Sequence, residues 1–202
     1  MPEQPKPRRA PAGSERKRDA DRSRERILDA ALVEFGEHGY AGARIGAIAR
    51  RAGVNQQLIS YYFDGKEGLH LALTERWRAM SARLGPPDAP LSEVVAAFTH
   101  VGEEQRHWVR LLVWQTLGGH REEGQEDFRR SMVDDLRRRQ EAGEIGKDLD
   151  PGYVMLALFG AALAPTLLAD YAEDFTGLPA DSPELFDRYR DQLRKLVERL
   201  RD

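Results

Sequence analysis

The sequence predicts an all-α protein, and three observations carry the prediction. Apolar residues recur at three- and four-residue spacing through nearly all of the chain after residue 20, the period of helices that bury one face. Val, Ile and Thr are sparse, and no run alternates polar and apolar residues as a half-buried strand would. The breaks between periodic segments carry helix punctuation: Gly at the ends, and Asp150-Pro151 and Ser182-Pro183 as a capping residue followed by proline at the first helical position.

The elements follow in order. Residues 1–20 are rich in Pro, Arg, Lys and Glu and lack apolar periodicity, so they read as a disordered basic arm, with Lys6, Arg8, Arg9, Arg16, Lys17 and Arg18 as its cations. Residues 22–38 form an amphipathic helix through Ile27, Leu28, Ala31, Leu32 and Phe35, bracketed at its end by Gly36 and Gly39. A short helix spans 45–51, Gly53-Val54-Asn55 breaks the chain, and a second short helix spans 56–62. Asp64-Gly65 is a turn signal. The next helix runs from about Lys66 to Arg83, with Leu69, Leu73, Trp77 and Met80 on one face, and stops at Gly85-Pro86-Pro87. Segments 91–104, 105–118, 122–142, 151–172 and 183–201 have helical spacing. Pro165 should kink the 151–172 helix, because it removes one backbone donor and crowds the preceding turn.

Composition narrows the function classes. The chain has 202 residues, 41% hydrophobic and 32% charged, with no cysteine. Disulfide frameworks, thiol nucleophiles and Cys-ligated metal centres are thereby excluded. No run of 18 apolar residues exists, and the basic N-terminus is not followed by the apolar stretch of a secretory signal, so a soluble, cytoplasmic protein without membrane association is expected. The charge is asymmetric: residues 1–70 carry a net +3 and residues 71–202 a net −6. A basic front on an acidic body points to a polyanion-binding module joined to something else.

The informative stretch is 45–63. Two short helices joined by a turn containing Gly make a helix-turn-helix unit. Ala49 is small where the helices cross, and Gly53 can take the left-handed conformation other residues resist. Ile48, Ala52, Val54, Ile59 and Tyr62 supply a shared apolar seam. The second helix then offers Asn55, Gln56, Gln57, Ser60 and Tyr61 to solvent, a face with amides and hydroxyls but no acid. Asn and Gln can bond bidentately to adenine in the major groove, and hydroxyls contact phosphate.

In these blocks the chain resembles the TetR family of transcriptional regulators: Arg26-Ile27-Leu28-Asp29-Ala30-Ala31, Phe35-Gly36-Glu37-His38-Gly39-Tyr40, Ile48-Ala49-Arg50-Arg51-Ala52-Gly53-Val54, and Tyr62-Phe63-Asp64-Gly65-Lys66-Glu67-Gly68-Leu69. The resemblance implies a three-helix DNA-binding domain over 21–67, followed by a helical ligand-binding and dimerisation domain over 68–202. It gives Lys66, at a helix start, a phosphate contact. It also implies a homodimer on a palindromic double-stranded operator, most simply a repressor released by a small molecule. Two positions depart from the family pattern. Arg44 stands where Thr or Ser commonly caps the second helix, and is a poor cap that can still reach a phosphate. Ser60 stands where a phosphate-contacting Tyr is common, so Tyr61 takes that role and Tyr62 is half core, half contact.

For the C-terminal part, Trp77, Met80, Trp108, Leu111, Leu112, Met155 and Phe159 could wall an effector pocket, suited to an apolar or aromatic molecule. Trp108 and Trp114, six apart, should face different directions. The resemblance makes helices 151–172 and 183–201 the dimer interface, with Leu163, Leu167, Tyr189, Leu193, Leu196 and Val197 as candidates. No metal or cofactor is expected: Glu103/His107 and His100/Glu104 have one-turn spacing, but no H-E-x-x-H pattern exists, and they read as exposed helix residues. The glycines at 39, 42 and 46 make no phosphate loop, since no strand precedes them. No nucleophile stands with a base, so no enzyme is expected. The alternative is an all-helical enzyme or interaction protein that does not bind DNA.

Overall fold

The structure, a computed structural model, describes residues 13–118 and 125–201. Among the described residues there are ten helices and no strand: α1 (Gly13–Gly42), α2 (Ile45–Ala52), α3 (Gln56–Phe63), α4 (Lys66–Leu84), α5 (Leu91–Glu104), α6 (Arg106–Leu117), α7 (Glu126–Glu141), α8 (Pro151–Leu167), α9 (Ala169–Thr176) and α10 (Pro183–Glu198). Lys6, Arg8 and Arg9 of the expected arm lie outside the described residues. Residues 13–20, expected to be disordered, instead form the first turns of α1. Past Gly13 that stretch contains no Gly or Pro, and Glu15, Arg16, Lys17, Arg18 and Ala20 are residues that lose little freedom in a helix.

Two apolar clusters organise the chain. The first joins α1 (Ile27, Ala31, Phe35), α2 (Ile48, Ala49), α3 (Ile59, Phe63), α4 (Leu69, Leu73) and α6 (Trp108, Leu111). The second joins α5 (Leu91, Val95), α7 (Leu136), Ile145 and α10 (Leu193, Val197), with Met155 and Leu158 of α8 packed on it. Each fully buried Leu, Ile or Phe contributes roughly 1.5–3 kcal/mol. α6 therefore leaves its sequence neighbours and lies along α1. Gly36 permits this: a Cβ there would fall 2.6 Å from the carbonyl oxygen of His107. At the same seat burial pushes the His107 imidazole below its ordinary range, and its Nδ1 is buried with no hydrogen-bond partner among the described residues.

The turn between α2 and α3 has the predicted form. Gly53 is left-handed (φ 65°, ψ 40°), its N–H bonds to Arg50 O, and Val54 N–H bonds to Ala49 O, closing α2 with its last carbonyls satisfied. Asp150 and Ser182 also act as expected. Asp150 Oδ1 accepts from the N–H groups of Gly152 (2.7 Å) and Tyr153 (3.3 Å), and Ser182 Oγ from Leu185 N–H (3.2 Å).

The expected single helix over 151–172 is two helices. α8 continues through Pro165 to Leu167, and α9 leaves at 87°. Pro165 cannot donate to the carbonyl of Ala161, and the Tyr189 hydroxyl of α10 donates to that oxygen instead, at 2.8 Å. A second tertiary knot closes the far end. Buried Arg139 bonds Asp135 (2.8 Å), Glu144 (3.2 Å) and the Ala89 carbonyl (2.7 Å), while Glu144 accepts the Leu91 N–H at the start of α5 (2.8 Å).

Replacing Gly53 by Ala forces a Cβ into left-handed backbone and should destabilise the fold by about 1–2 kcal/mol, read as a lowered midpoint in urea unfolding. Tyr189→Phe leaves the Ala161 carbonyl without its donor. We expect about 1–3 kcal/mol lost in the same assay; an unchanged midpoint would remove that bond from the account.

Candidate nucleic-acid interface

The helix-turn-helix unit is held at its start by a residue from another helix. Arg44 precedes α2 with extended backbone and makes no side-chain cap, as its chemistry predicts. The buried carboxylate of Glu34 on α1 accepts the Arg44 N–H instead, at 3.2 Å, placing negative charge at the positive end of α2. Glu34, Glu37 and His38 bring their ligand-type atoms within 4.8 Å of one another. Both carboxylates there have structural roles, because Glu34 caps α2 and Glu37 pairs with Arg51 of α2 at 3.1 Å. The side chains of His100, Glu103 and Glu104 lie outside the described residues.

α3 presents the predicted face. Gln56, Gln57, Ser60 and Tyr61 are exposed, while Ile59 and Phe63 on the opposite side are buried. Tyr61 is 81% exposed, a position that leaves most of its ring to water. Asn55 has a second role that sequence reading missed. It is the N-cap of α3, its Oδ1 accepting the Gln57 N–H at 3.0 Å, so one acceptor site of its amide is already engaged within the turn. An Asn immediately before an apolar-periodic segment was the available signal. Gln56 lies back over α2, since a Cβ on Gly46 would stand 2.9 Å from its Nε2. That leaves Gln57, Ser60 and Tyr61 as the outermost groups.

The flanks carry the cations. Tyr62 is half-buried against the first cluster, with the Arg24 guanidinium of α1 5.6 Å from its ring centre and 5.0 Å from that of Phe63. Lys66 opens α4. Its Nζ donates to the Ala41 carbonyl at 3.2 Å and sits 4.8 Å from the Tyr40 ring centre, so one of its three N–H groups is engaged and the ammonium is steered by the α1–α2 corner. No Asp or Glu occurs between Glu37 and Asp64, whereas Arg44, Arg50 and Arg51 do. The stretch that carries the amides thus holds cations and no acid from Gly39 to Phe63, with Asp64 as the first carboxylate beyond α3, a charge balance suited to approach to a polyanion.

The other predicted sites are rearranged. Trp77 stacks on Trp108 at 4.9 Å, and Trp108 and Leu111 are buried in the first cluster against α1. Met155 packs on the second cluster and Phe159 of α8 is exposed, while Met80 and Leu112 are half-buried. The seven residues expected to wall one pocket are therefore divided between two cores and a surface, because α6 turns its large side chains to α1. Trp108 and Trp114 do face apart, one buried and one exposed. Of the expected interface residues, Leu193 and Val197 are 4% and 3% exposed inside the second cluster, Leu163 is buried, and Tyr189 is committed to Ala161. α10 spends its apolar stripe on α5 of its own chain, so these four are corrected to core. Leu167 and Leu196 are exposed. Sequence reading missed Tyr153 and Leu156 of α8, 77% and 70% exposed, which with Gly160 and Leu167 form one outward stripe at helical spacing. Among the described residues no single helix is long and apolar enough to cross a membrane.

Comparison with known proteins agrees with this geometry. The family profile described as bacterial regulatory proteins, tetR family, matches residues 27–73, which span α1 from its first buried residue to the middle of α4. The profile described as tetracyclin repressor-like, C-terminal domain, matches 91–199. The chain is 32% identical over 137 residues to the HTH-type transcriptional repressor SCO4008 of Streptomyces coelicolor, covering 63% of this chain and 70% of that one. It is 32% identical over 110 residues to the HTH-type transcriptional repressor NicS of Pseudomonas putida, covering 50% of this chain and 52% of that one. The matched stretch thus spans about half the length of the second relative. In structure it is similar to SCO4942 of Streptomyces coelicolor, with a TM-score of 0.71 and 26% identity over 89% of this chain and 98% of the other. The fold is shared with the fatty acid degradation regulator FadR of Bacillus halodurans, TM-score 0.58 at 18% identity over 84% and 97% of the two chains. With a left-handed glycine setting an acid-free amide face between basic flanks, and with family matches over both halves, the chain belongs to the TetR family of bacterial regulatory proteins and is a helix-turn-helix, DNA-binding regulator of transcription.

Proposed function

We propose that the protein is a ligand-responsive repressor. It works in the cytoplasm as a homodimer, occupies a palindromic operator, and leaves it when a small apolar or aromatic molecule binds the C-terminal helices; it is a binding protein and not an enzyme. The observation that carries the reading is the α3 face, where Gln57, Ser60 and Tyr61 stand outermost with no carboxylate on α2 or α3. Gln57 reads a base edge, while Ser60, Tyr61, Lys66 and Arg44 set register on the phosphates. Both repressors compared above act on transcription by their names, which supports repression over activation.

The dimer supports the operator reading, because two copies of α3 must meet two half-sites at a fixed spacing. The outward stripe Tyr153, Leu156, Gly160 and Leu167 of α8, with Leu196 of α10 as a further exposed apolar residue, is the surface we assign to the two-fold contact. The packing also supplies a route for the effector. α6 rests on α1 at Gly36, and Trp77 of α4 stacks on Trp108 of α6. A ligand that displaces α6 or α4 moves the helices that carry the head. It acts only through its preference for the non-DNA geometry, typically about 1–3 kcal/mol of coupling.

The test is a gel shift against the DNA upstream of the protein's own gene, at two salt concentrations, followed by binding-site selection. Specific binding that weakens steeply with salt is expected, with a two-fold symmetric selected site. Gln57→Ala should relax one base position per half-site, by about 1–3 kcal/mol of discrimination; an identical selected site removes Gln57 from the readout. Leu156→Glu should place a charge in the α8 contact and yield a monomer in sedimentation with lost operator affinity. A variant that stays dimeric would move the interface elsewhere.

A further inference from the structure

The first turns of α1 carry a charge pattern that the helix-turn-helix unit does not use. The α1 face that packs on the head runs through Phe35, Ala31, Leu28 and Ile27, all buried. Continued toward the N-terminus at three- and four-residue spacing, the same face reads Arg24, Ala20, Lys17 and, by register, Arg16. It therefore turns from apolar to basic where the head ends. Of the acids of this stretch, Asp21 lies at the edge of that stripe, four residues after Lys17 and three before Arg24, while Asp19, Glu25 and Asp29 stand off it. Asp19 lies by Arg22 at 3.9 Å, and Glu25 and Asp29 are held toward α4 by Arg76, at 3.5 and 2.7 Å.

The place of this stripe is set by Arg24. Its guanidinium lies over Phe63 and Tyr62, and its Nη1 donates to the Tyr62 carbonyl at 3.5 Å, so α1 crosses the C-terminal end of α3 at that point. The turns beyond it, with Lys17 and Arg18 exposed, extend past the end of the reading helix. The residues preceding α1 add Lys6, Arg8 and Arg9 against the single acid Glu3.

We infer that this extension of α1 is a second nucleic-acid contact, a basic rail that engages the DNA phosphates flanking each half-site. The inference rests on the operator-binding reading above. With α3 in the major groove, the strand beside its C-terminal end runs past the turn of α1 that carries the exposed Lys17, with Arg16 on the same face by register. The contact is to backbone charge, so it lengthens the site without adding sequence preference.

The experiment uses the full chain and the DNA fragment that the wild-type protein selects, with long and short flanks. Affinity is measured across a salt series and the bound edges are mapped by hydroxyl-radical footprinting. Arg16→Gln with Lys17→Gln should flatten the slope of log affinity against log salt by about 0.9 for each phosphate contact removed. It should weaken binding to the long fragment by roughly three- to tenfold at fixed salt, shorten the footprint at both outer edges, and leave the selected core sequence unchanged. Arg22→Gln removes one charge on the face of Glu25 and Asp29 and should leave slope and footprint as they are. Equal slopes and footprints for wild type and the double variant overturn the inference while leaving the operator reading intact. A loss as large in Arg22→Gln overturns it too, because general charge would then suffice. Failure of the wild type to bind any duplex overturns both. Circular dichroism of each variant checks that the overall helix content is that of the wild type.

Discussion

The rest of the molecule's DNA-reading geometry hangs on the left-handed turn at Gly53. A helix such as α2 can end in many ways, but only a residue at positive φ lets the N–H groups of Gly53 and Val54 fold back on the last carbonyls while the chain reverses into α3. The direction of α3 is then fixed by a few degrees of backbone, and with it the direction of Gln57, Ser60 and Tyr61. The seam beneath, Ile48, Ala49 and Ile59, holds the pair at one crossing. Glu34 completes the arrangement from α1, supplying the acceptor that Arg44 cannot.

α1 is the spine to which both halves are fastened. One part of its surface buries α2, α3 and α4, and another receives α6 at Gly36. Trp108 and Leu111 belong by sequence to the C-terminal half and by packing to the DNA-binding half. The first core runs across the boundary that the sequence suggests near residue 67, since Leu69, Leu73, Trp108 and Leu111 share it with α1, α2 and α3. In the ligand-responsive mechanism proposed above, this shared core is the element that would couple α6 and α4 to α3.

The unpartnered apolar surface tells a complementary story. α10 is strongly amphipathic, yet its stripe is consumed by α5, and its tyrosine repairs the gap that Pro165 leaves in α8. α8, apolar on nearly all sides, has more such surface than one chain can cover, so Tyr153 and Leu156 remain outside. A helix that is apolar all round has more than one face to bury, and among the described residues the Tyr153–Leu156 face of α8 stays exposed.

The sequence by itself determined the helical class, the helix-turn-helix and its acid-free face, and the caps at Asp150 and Ser182. These depend on neighbours within a turn or two: a glycine that tolerates positive φ, a side-chain oxygen that accepts a nearby N–H, an apolar residue every three or four positions. Tertiary structure alone decided which partner each apolar stripe meets. Periodicity states that Leu193, Val197, Trp108 and Leu111 are covered, and is silent on whether a second protein, a ligand or another helix covers them. It likewise could not reveal that Glu34 caps a helix ten residues away, that Arg139 ties α5 to α7, or that the kink expected at Pro165 becomes a bend at Leu168. Each of those is settled by groups distant in the chain and adjacent in space, where burial makes an unsatisfied donor, acceptor or charge costly enough to select one arrangement.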